Sequence, residues 1–314
     1  MIKRMILRPI IFAVRCKYGF KISGLLILLT IIFLQSLFFL SPRVIHADTM
    51  LYIQGGFGDF EIKTKDALVQ SDSKNSRRHF GLGMDLEKEG YPLRVSFKWG
   101  FFETGEETEK WTVGPIHENR LEINGGTFDV QAFVTPYTYS SGKERIRVKP
   151  FFGGGLGYKR FKFERKGLNE NIVTDPNIIQ YISGNQAVTT IGITPHMGFF
   201  IELPKLETEC SLVVGWSFLA VKANADYHDF SGGGDEIYPV NGHTSGSAIV
   251  TGIQIVKNWD SFSVALGYIW EKTRIADKPF LYDPDKDGKA EKDFPFHELE
   301  IVETFGQLSL SYLF

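Results

Sequence analysis

The sequence predicts an all-β fold, a closed antiparallel up-and-down transmembrane β-barrel of ten strands, preceded by an N-terminal signal peptide. Three observations carry this expectation. Apolar and polar residues alternate with a period of two through most of the chain beyond residue 47. The connections between the alternating runs are short and long by turns. The alternation also persists to the last residue, with Leu308, Leu310, Tyr312 and Phe314 apolar and Gln307, Ser309 and Ser311 polar. A soluble chain more often ends in a frayed polar tail.

Residues 1–47 differ from the rest. They hold seven basic residues and no acidic one, and "GLLILLTIIFLQSLFFL" from Gly24 to Leu40 is uncharged. A short polar stretch then ends on the small residue Ala47. A basic start, an apolar middle and a small residue at the exit describe a secretory signal peptide, with the cut expected after Ala47. A retained membrane anchor is the alternative, because the apolar run is near the lower limit for spanning a bilayer, roughly 17 residues. The expected domains are therefore a leader, 1–47, and a barrel, 48–314.

The remaining chain keeps 28 basic against 37 acidic residues, a formal charge of −9. That balance argues against a nucleic-acid partner, which requires basic patches. Cys210 is its sole cysteine, so no internal disulfide staples it, and another constraint must hold an exported chain of this size together.

Each strand is read from its alternation, since period two puts one set of side chains on each face. Clear runs are Phe80, Leu82, Met84 and Leu86; Leu93, Val95, Phe97, Trp99 and Phe101; Ile191 through Ile201; and Phe262 through Trp270. The ten expected spans are 50–62, 78–88, 93–103, 120–138, 145–164, 187–203, 210–225, 246–257, 261–275 and 298–314; eight or twelve follow if a run is merged or split. Short connectors lie at 88–92, 140–144, 204–209 and 257–261. Long ones, rich in Gly, Asn, Asp, Lys and Glu, lie near 63–77, 104–119, 165–186, 226–245 and 276–297. An even strand count with tight turns at one end and long loops at the other is the layout of an outer-membrane barrel. In lipid every backbone N–H and C=O needs a protein partner, and a closed sheet supplies one without edges. The apolar set carries Trp99, Tyr268, Trp270, Tyr312 and Phe314, suited to interfacial girdles. The other set holds Asp85, Glu87, Arg94, Lys98, Asp129, Arg145, Arg147, Lys149, Glu202 and Glu271, expected in the lumen either as an ion-pair plug or as the lining of a narrow pore.

The last strand resembles the C-terminal assembly signal of bacterial outer-membrane proteins: a terminal aromatic, Phe314, another at Tyr312, and apolar residues at Leu310 and Leu308. The resemblance implies recognition by the barrel-assembly machinery and residence in the outer membrane, against its lipid and lipopolysaccharide. A second stretch, "VKPFFGGGLGYKRFKFE" (148–164), resembles the glycine-rich strand of small OmpA-like, OmpW-like and opacity-type barrels through Pro150, Phe151, Gly153, Gly155, Gly157 and Tyr158. Its alternation breaks near Lys159 and Arg160, which a bulge or the point of exit from the membrane would explain. The resemblance is to the barrel alone, and the peptidoglycan-binding domain of full-length OmpA is not expected here.

Two constellations carry candidate chemistry. In "YDPDKDGKAEKDF" (282–294), Asp283, Asp285, Asp287 and Gly288 reproduce the opening of a calcium loop, where alternate carboxylates converge on a hard cation. Glu291 and Asp293 stand near where a bidentate glutamate belongs, and position twelve is Phe294. The plain alternative is an acidic solvated tip, and no other cofactor is expected. In "NADYHDF" (224–230), Asp226 and His228 share a face, and a carboxylate can orient an imidazole as a base. This resembles the Asp-x-His pair of the omptin proteases, also ten-stranded. Those require a facing aspartate pair, and the nearest acids here, Glu103, Glu106 and Glu107, match neither type nor spacing. The expected function is a non-enzymatic surface barrel, structural or ligand-binding, with external loops. A narrow porin-like channel and an omptin-like endopeptidase are the alternatives.

Overall fold

The computed structural model describes residues 48–65, 70–87, 92–112, 116–141, 146–166, 183–229, 236–282, 292–296 and 298–314, within the compact unit Asp48–Phe314. Its strands are β1 (Asp48–Lys65), β2 (Gln70–Glu87), β3 (Leu93–Thr104), β4 (Glu107–Thr112), β5 (Ile116–Val134), β6 (Tyr139–Ser140), β7 (Arg147–Lys166), β8 (Ser183–Leu203), β9 (Thr208–Asp229), β10 (Glu236–Trp259), β11 (Phe262–Ile275), β12 (Lys278–Tyr282), β13 (Lys292–Phe296) and β14 (Glu298–Leu313).

Ten of these form a closed antiparallel ring in the order β1, β2, β3, β5, β7, β8, β9, β10, β11, β14 and back to β1. Closure runs from Met50 opposite Leu313 to Lys65 opposite Glu298, and the Phe314 amide donates to the Thr49 carbonyl at 3.0 Å. The last strand is therefore fully paired along its length and leaves no edge for lipid to meet. Among the described residues the chain has no α-helix; a single 3₁₀ turn, Pro204–Leu206, caps the β8–β9 connection.

All ten expected strands are present, but most reach further toward the long-connector end than their alternation indicated. β2 starts at Gln70 rather than 78, β5 at Ile116, and β10 at Glu236. Much of the segments read as long connectors is thus sheet. The segment 104–119 contains β4, paired with both β2 and β5, and 276–297 contains the β12–β13 hairpin. The reason lies in where their side chains go. In these outer extensions the inward set is buried, apolar on strands such as β1, β5 and β7 and polar on β2, and the outward set is largely polar or charged.

The consequence is an inversion along each strand. On β7, odd-numbered residues face inward throughout. Phe152 and Leu156 are exposed on the outer surface in the lower half, while Phe161 and Phe163 are buried inside the upper half. The pairing of β7 with β5 and β8 runs without a register shift through Lys159 and Arg160. The break in alternation is therefore a change of environment and not a bulge. The same occurs on β1, where Phe57 is 74 % exposed and Phe60 is fully buried, and on β14, where Leu308 and Leu310 face out and Leu299 and Ile301 face in.

Two zones result. Near the short turns, an outward belt of exposed apolar residues includes Ile53, Leu82, Trp99, Ile193, Leu212, Ile253, Leu266 and Tyr312. Water would penalise such a continuous surface, and hydrocarbon does not. Beyond it, Asp59, Lys74, Arg120, Lys166 and Arg274 cover the outside. There the inside is a buried cluster built from Phe60, Ile62, Phe102, Leu121, Ile123, Phe161, Phe163, Val188 and Ile301.

Candidate functional site

Among the described residues, chemistry-bearing side chains from many strands converge in the lumen. It is layered. The outermost layer is the apolar cluster. Phe60, Phe102 and Phe161, from β1, β3 and β7, form a triangle with ring centroids 6.0, 5.7 and 5.6 Å apart. Gly125 on β5 leaves room for one member, since a Cβ there would sit 2.4 Å from Phe102 Cζ. Buried polar groups in this layer include closely matched pairs. Arg165 donates to both carboxylate oxygens of Glu109 at 2.7 and 3.1 Å, and Asn75 donates to the Leu121 carbonyl at 2.9 Å. A buried charge without such a partner would be expensive.

Directly beneath lies an ion-pair layer. Arg77 pairs with Glu303, Lys159 donates to Glu303 at 2.5 Å and to Glu271 at 2.8 Å, and Thr273 donates to Glu271 at 3.3 Å. Arg77 also sits 4.4 Å from the Phe102 ring centroid and 4.6 Å from that of Phe305. Its guanidinium thus joins the ionic layer to the aromatic one through cation–π contact.

Below this layer is a cavity of about 270 Å³. Its walls include Gln54, His79, Lys98, Asp129, Gln131, His196, Gln254 and Gln307. Gln54 Nε2 and His79 Nε2 are 2.9 Å apart. Gly157 faces Asp129 in register, and a Cβ there would lie 2.8 Å from Asp129 Oδ1. The glycine-rich stretch of β7 thus clears lumen space rather than cradling a phosphate. At the short-turn end a partly exposed ring of charges closes the floor loosely. Arg94 donates to Asp85 at 2.8 Å and lies 3.7 Å from Glu209, and Lys149 pairs with Glu202.

Of the lumen residues expected from sequence, Asp85, Arg94, Lys98, Asp129 and Glu271 line the cavity and Lys149 and Glu202 meet at its floor. Arg147 lies opposite Glu202 in register, and Glu87 is exposed at the rim. Arg145 is outside the described residues. Arg77, His79, Lys159, Glu303, Glu109 and Arg165 were not anticipated. Arg77 lies outside the span read for its strand, and Lys159 sits where the alternation breaks.

The other candidates are placed as follows. Asp283, Asp285, Asp287 and Glu291 lie outside the described residues. The segment that holds them connects β12 to β13, and its ends are pinned by the pairing of Tyr282 with Lys292. Asp226 and His228 lie within β9, opposite Pro239 and Ile237, and their side chains are outside the described residues. Glu103, Glu106 and Glu107 are exposed. Glu106 is engaged on the outer wall, 2.9 Å from Arg120 and 3.1 Å from Lys166. Hydrogen bonds from Arg120 and then Lys166 hold its carboxyl below the usual glutamate range. Lys166 also reaches Glu122 at 3.0 Å.

No protein-family model matches the sequence, and no curated protein matches it. Among solved structures, the outer membrane protease OmpT from Escherichia coli superposes over 85 % of this chain and 97 % of its own, with TM-score 0.52 and 12 % identity. The chain has the fold of a bacterial outer-membrane β-barrel. The barrel also matches, at TM-scores too low to carry an argument, the translocator domain of autotransporter NalP from Neisseria meningitidis (8 % identity, 92 % of this chain, 96 % of that, TM-score 0.33). The attachment invasion locus protein Ail of Yersinia pestis matches with 9 % identity over 84 % of this chain and 99 % of that, at TM-score 0.26. With its apolar belt in hydrocarbon, this barrel resides in the outer membrane. Leu308, Leu310 and Tyr312 of the assembly-signal pattern are on the lipid-facing side of β14, and Phe314 is 72 % exposed beside Tyr312.

Proposed function

We propose that this barrel is a non-conducting surface protein, which anchors in the outer membrane and raises a charged wall beyond it for structural or binding purposes. The observation that supports this reading is the buried apolar layer across the outer half of the lumen. A pore for polar solutes needs a hydrated path, and Phe60, Phe161, Leu121, Ile123 and Ile301 are each fully buried at the point where such a path would pass. Narrow apolar constrictions dewet and block ions.

The wall is suited to display. Strands such as β2 and β10 continue well past the apolar belt, so the outer connectors sit on rigid sheet. Binding residues commonly occupy loops positioned in this way. Calcium in the β12–β13 connection, through Asp283, Asp285, Asp287 and Glu291, is the finer part of the proposal. Titration calorimetry with calcium, with and without Asp285→Ala, tests it.

The main experiment is single-channel recording on the refolded barrel in a planar bilayer. The expected record shows no steady open level. A stable open current that survives purification to homogeneity would replace this reading with a channel.

A further inference from the structure

The lumen cavity holds one cation and one anion that the ion-pair layers leave uncommitted. Around it, Arg77, Lys159, Glu271 and Glu303 satisfy one another, and Arg94 is held by Asp85 and Glu209. Lys98 and Asp129 remain. They face each other in register on β3 and β5 and both line the cavity, yet among the described residues neither makes an ion pair within 4.0 Å. The cavity walls are rich in neutral donors and acceptors, the side-chain amides of Gln54, Gln131, Gln254 and Gln307. Two wall imidazoles, 9 % and 5 % exposed, have ring nitrogens with no protein partner, His79 Nδ1 and His196 Nε2. Buried polar groups normally find partners.

We infer that this cavity is a binding site for a small zwitterion of amino-acid or betaine size, its anionic group on Lys98 and its cationic group on Asp129. The charge count selects the class. A simple anion would answer Lys98 alone, and a simple cation would answer Asp129 alone. A ligand carrying both charges answers both, and charge-assisted contacts are the strong ones. The volume, about 270 Å³, falls just below the usual range for small-molecule pockets, roughly 300–1,000 Å³, and so suits a solute of a few heavy atoms.

The same layers define the entrance. The outer end is shut by Arg77 and Glu303, with side chains 2 % and 1 % exposed, and by the apolar cluster above them. The floor groups Arg94, Glu209, Lys149 and Glu202 are each more than one-fifth exposed, so the solute enters at the short-turn end. This direction rests on the seal proposed above, but the binding does not. A conducting barrel with the same Lys98 and Asp129 would still bind, so the two ideas fail separately.

The test is titration calorimetry of the refolded full barrel with glycine, alanine, 4-aminobutyrate and glycine betaine, using acetate and ethylammonium as single-charge probes. At least one zwitterion binds one to one at millimolar concentrations, and both single-charge probes bind at least tenfold more weakly. Lys98→Gln and Asp129→Asn each weaken the zwitterion tenfold or more while keeping the native heat-modifiable mobility. Absence of binding by all four zwitterions, or acetate binding as tightly as they do, overturns the inference. Should either variant fail to fold, the comparison of single-charge and zwitterionic probes on the unaltered barrel still decides. For the entrance, Thr194→Cys in a Cys210→Ser background should react with a small charged thiol reagent from the short-turn side, and a bound zwitterion should slow it. Reaction only from the opposite side contradicts the assigned entrance.

Discussion

Lys159 on β7 and Glu303 on β14 meet at 2.5 Å although their strands stand opposite one another in the ring, five places apart in either direction. The pair is a strut across the barrel. It fixes the lumen's width at the level where the outer surface changes from lipid-facing to charged, and through Arg77 it connects to Phe102 in the aromatic layer above and to Phe305 on the cavity wall below.

Glu303 and Lys159 each serve two partners, but losing Glu303 strands Arg77, whose side chain is 2 % exposed, whereas losing Lys159 leaves Glu303 with Arg77 and the 22 % exposed Glu271 with Thr273. Glu303→Ala is therefore expected to cost about 3–5 kcal/mol, the usual penalty for stranding a buried charge, and Lys159→Ala clearly less. Guanidinium unfolding of the detergent-folded barrel measures both. An equal or larger loss for Lys159→Ala would refute the assignment of Glu303 as the hub.

Phe161 and Leu156 are both apolar residues of β7 but belong to opposite worlds. Phe161→Ala should destabilise by roughly 3–5 kcal/mol, as for a buried phenylalanine in a well-packed core. Leu156→Arg should cost about 2–4 kcal/mol through its lipid contact. Changing detergent for a thicker bilayer should alter the second cost and not the first. The same unfolding assay, run in both media, reads this out.

Acid should loosen the outer wall first. Hydrogen bonds from Arg120, then Lys166, lower the Glu106 carboxyl below its ordinary value of 4.5. A group depressed in the folded state contributes stability that is present above its unfolded pKa. That contribution is lost as pH falls through the lower folded value. The expected result is faster amide exchange around Glu106 and Arg120 as pH drops from 4.5 downward, after correction for intrinsic rates, and no such change above it. Glu106→Gln should abolish this pH dependence. Its persistence in that variant would assign the effect elsewhere.

How far the sequence could be read depends on what lies on either side of the wall. In the belt, lipid demands apolar residues outside and the narrow lumen tolerates Gly, Ser and charge, so the alternation of Leu308 to Phe314 or Phe262 to Trp270 is plain. Above the belt the signal weakens or reverses. The outer part of β2 carries Ser71, Ser73, Asn75 and Arg77 inward and Asp72, Lys74, Ser76 and Arg78 outward, polar on both faces, so no period marks it as strand. On β1 and β7 the apolar set switches sides between Phe57 and Phe60 and between Leu156 and Phe161, which reads as an ending when the strand continues. Lumen residues such as Lys98, Asp129 and Glu271 were legible because parity alone places them. The cross-lumen partnership of Lys159 and Glu303 was not, since it depends on the ring's closure and on register summed over half its strands.

The inversion itself is the central claim, and a nitroxide scan along β7 from Phe152 to Lys166, in lipid vesicles, tests it most directly. Accessibility to oxygen reports lipid contact and accessibility to a water-soluble nickel complex reports water. Positions 152, 154, 156 and 158 should favour oxygen, 160, 162, 164 and 166 should favour nickel, and 161 and 163 should respond to neither. Lipid contact at 161 or 163, or at 162 and 164, would show that the strand does not leave the membrane with its apolar side chains turned inward.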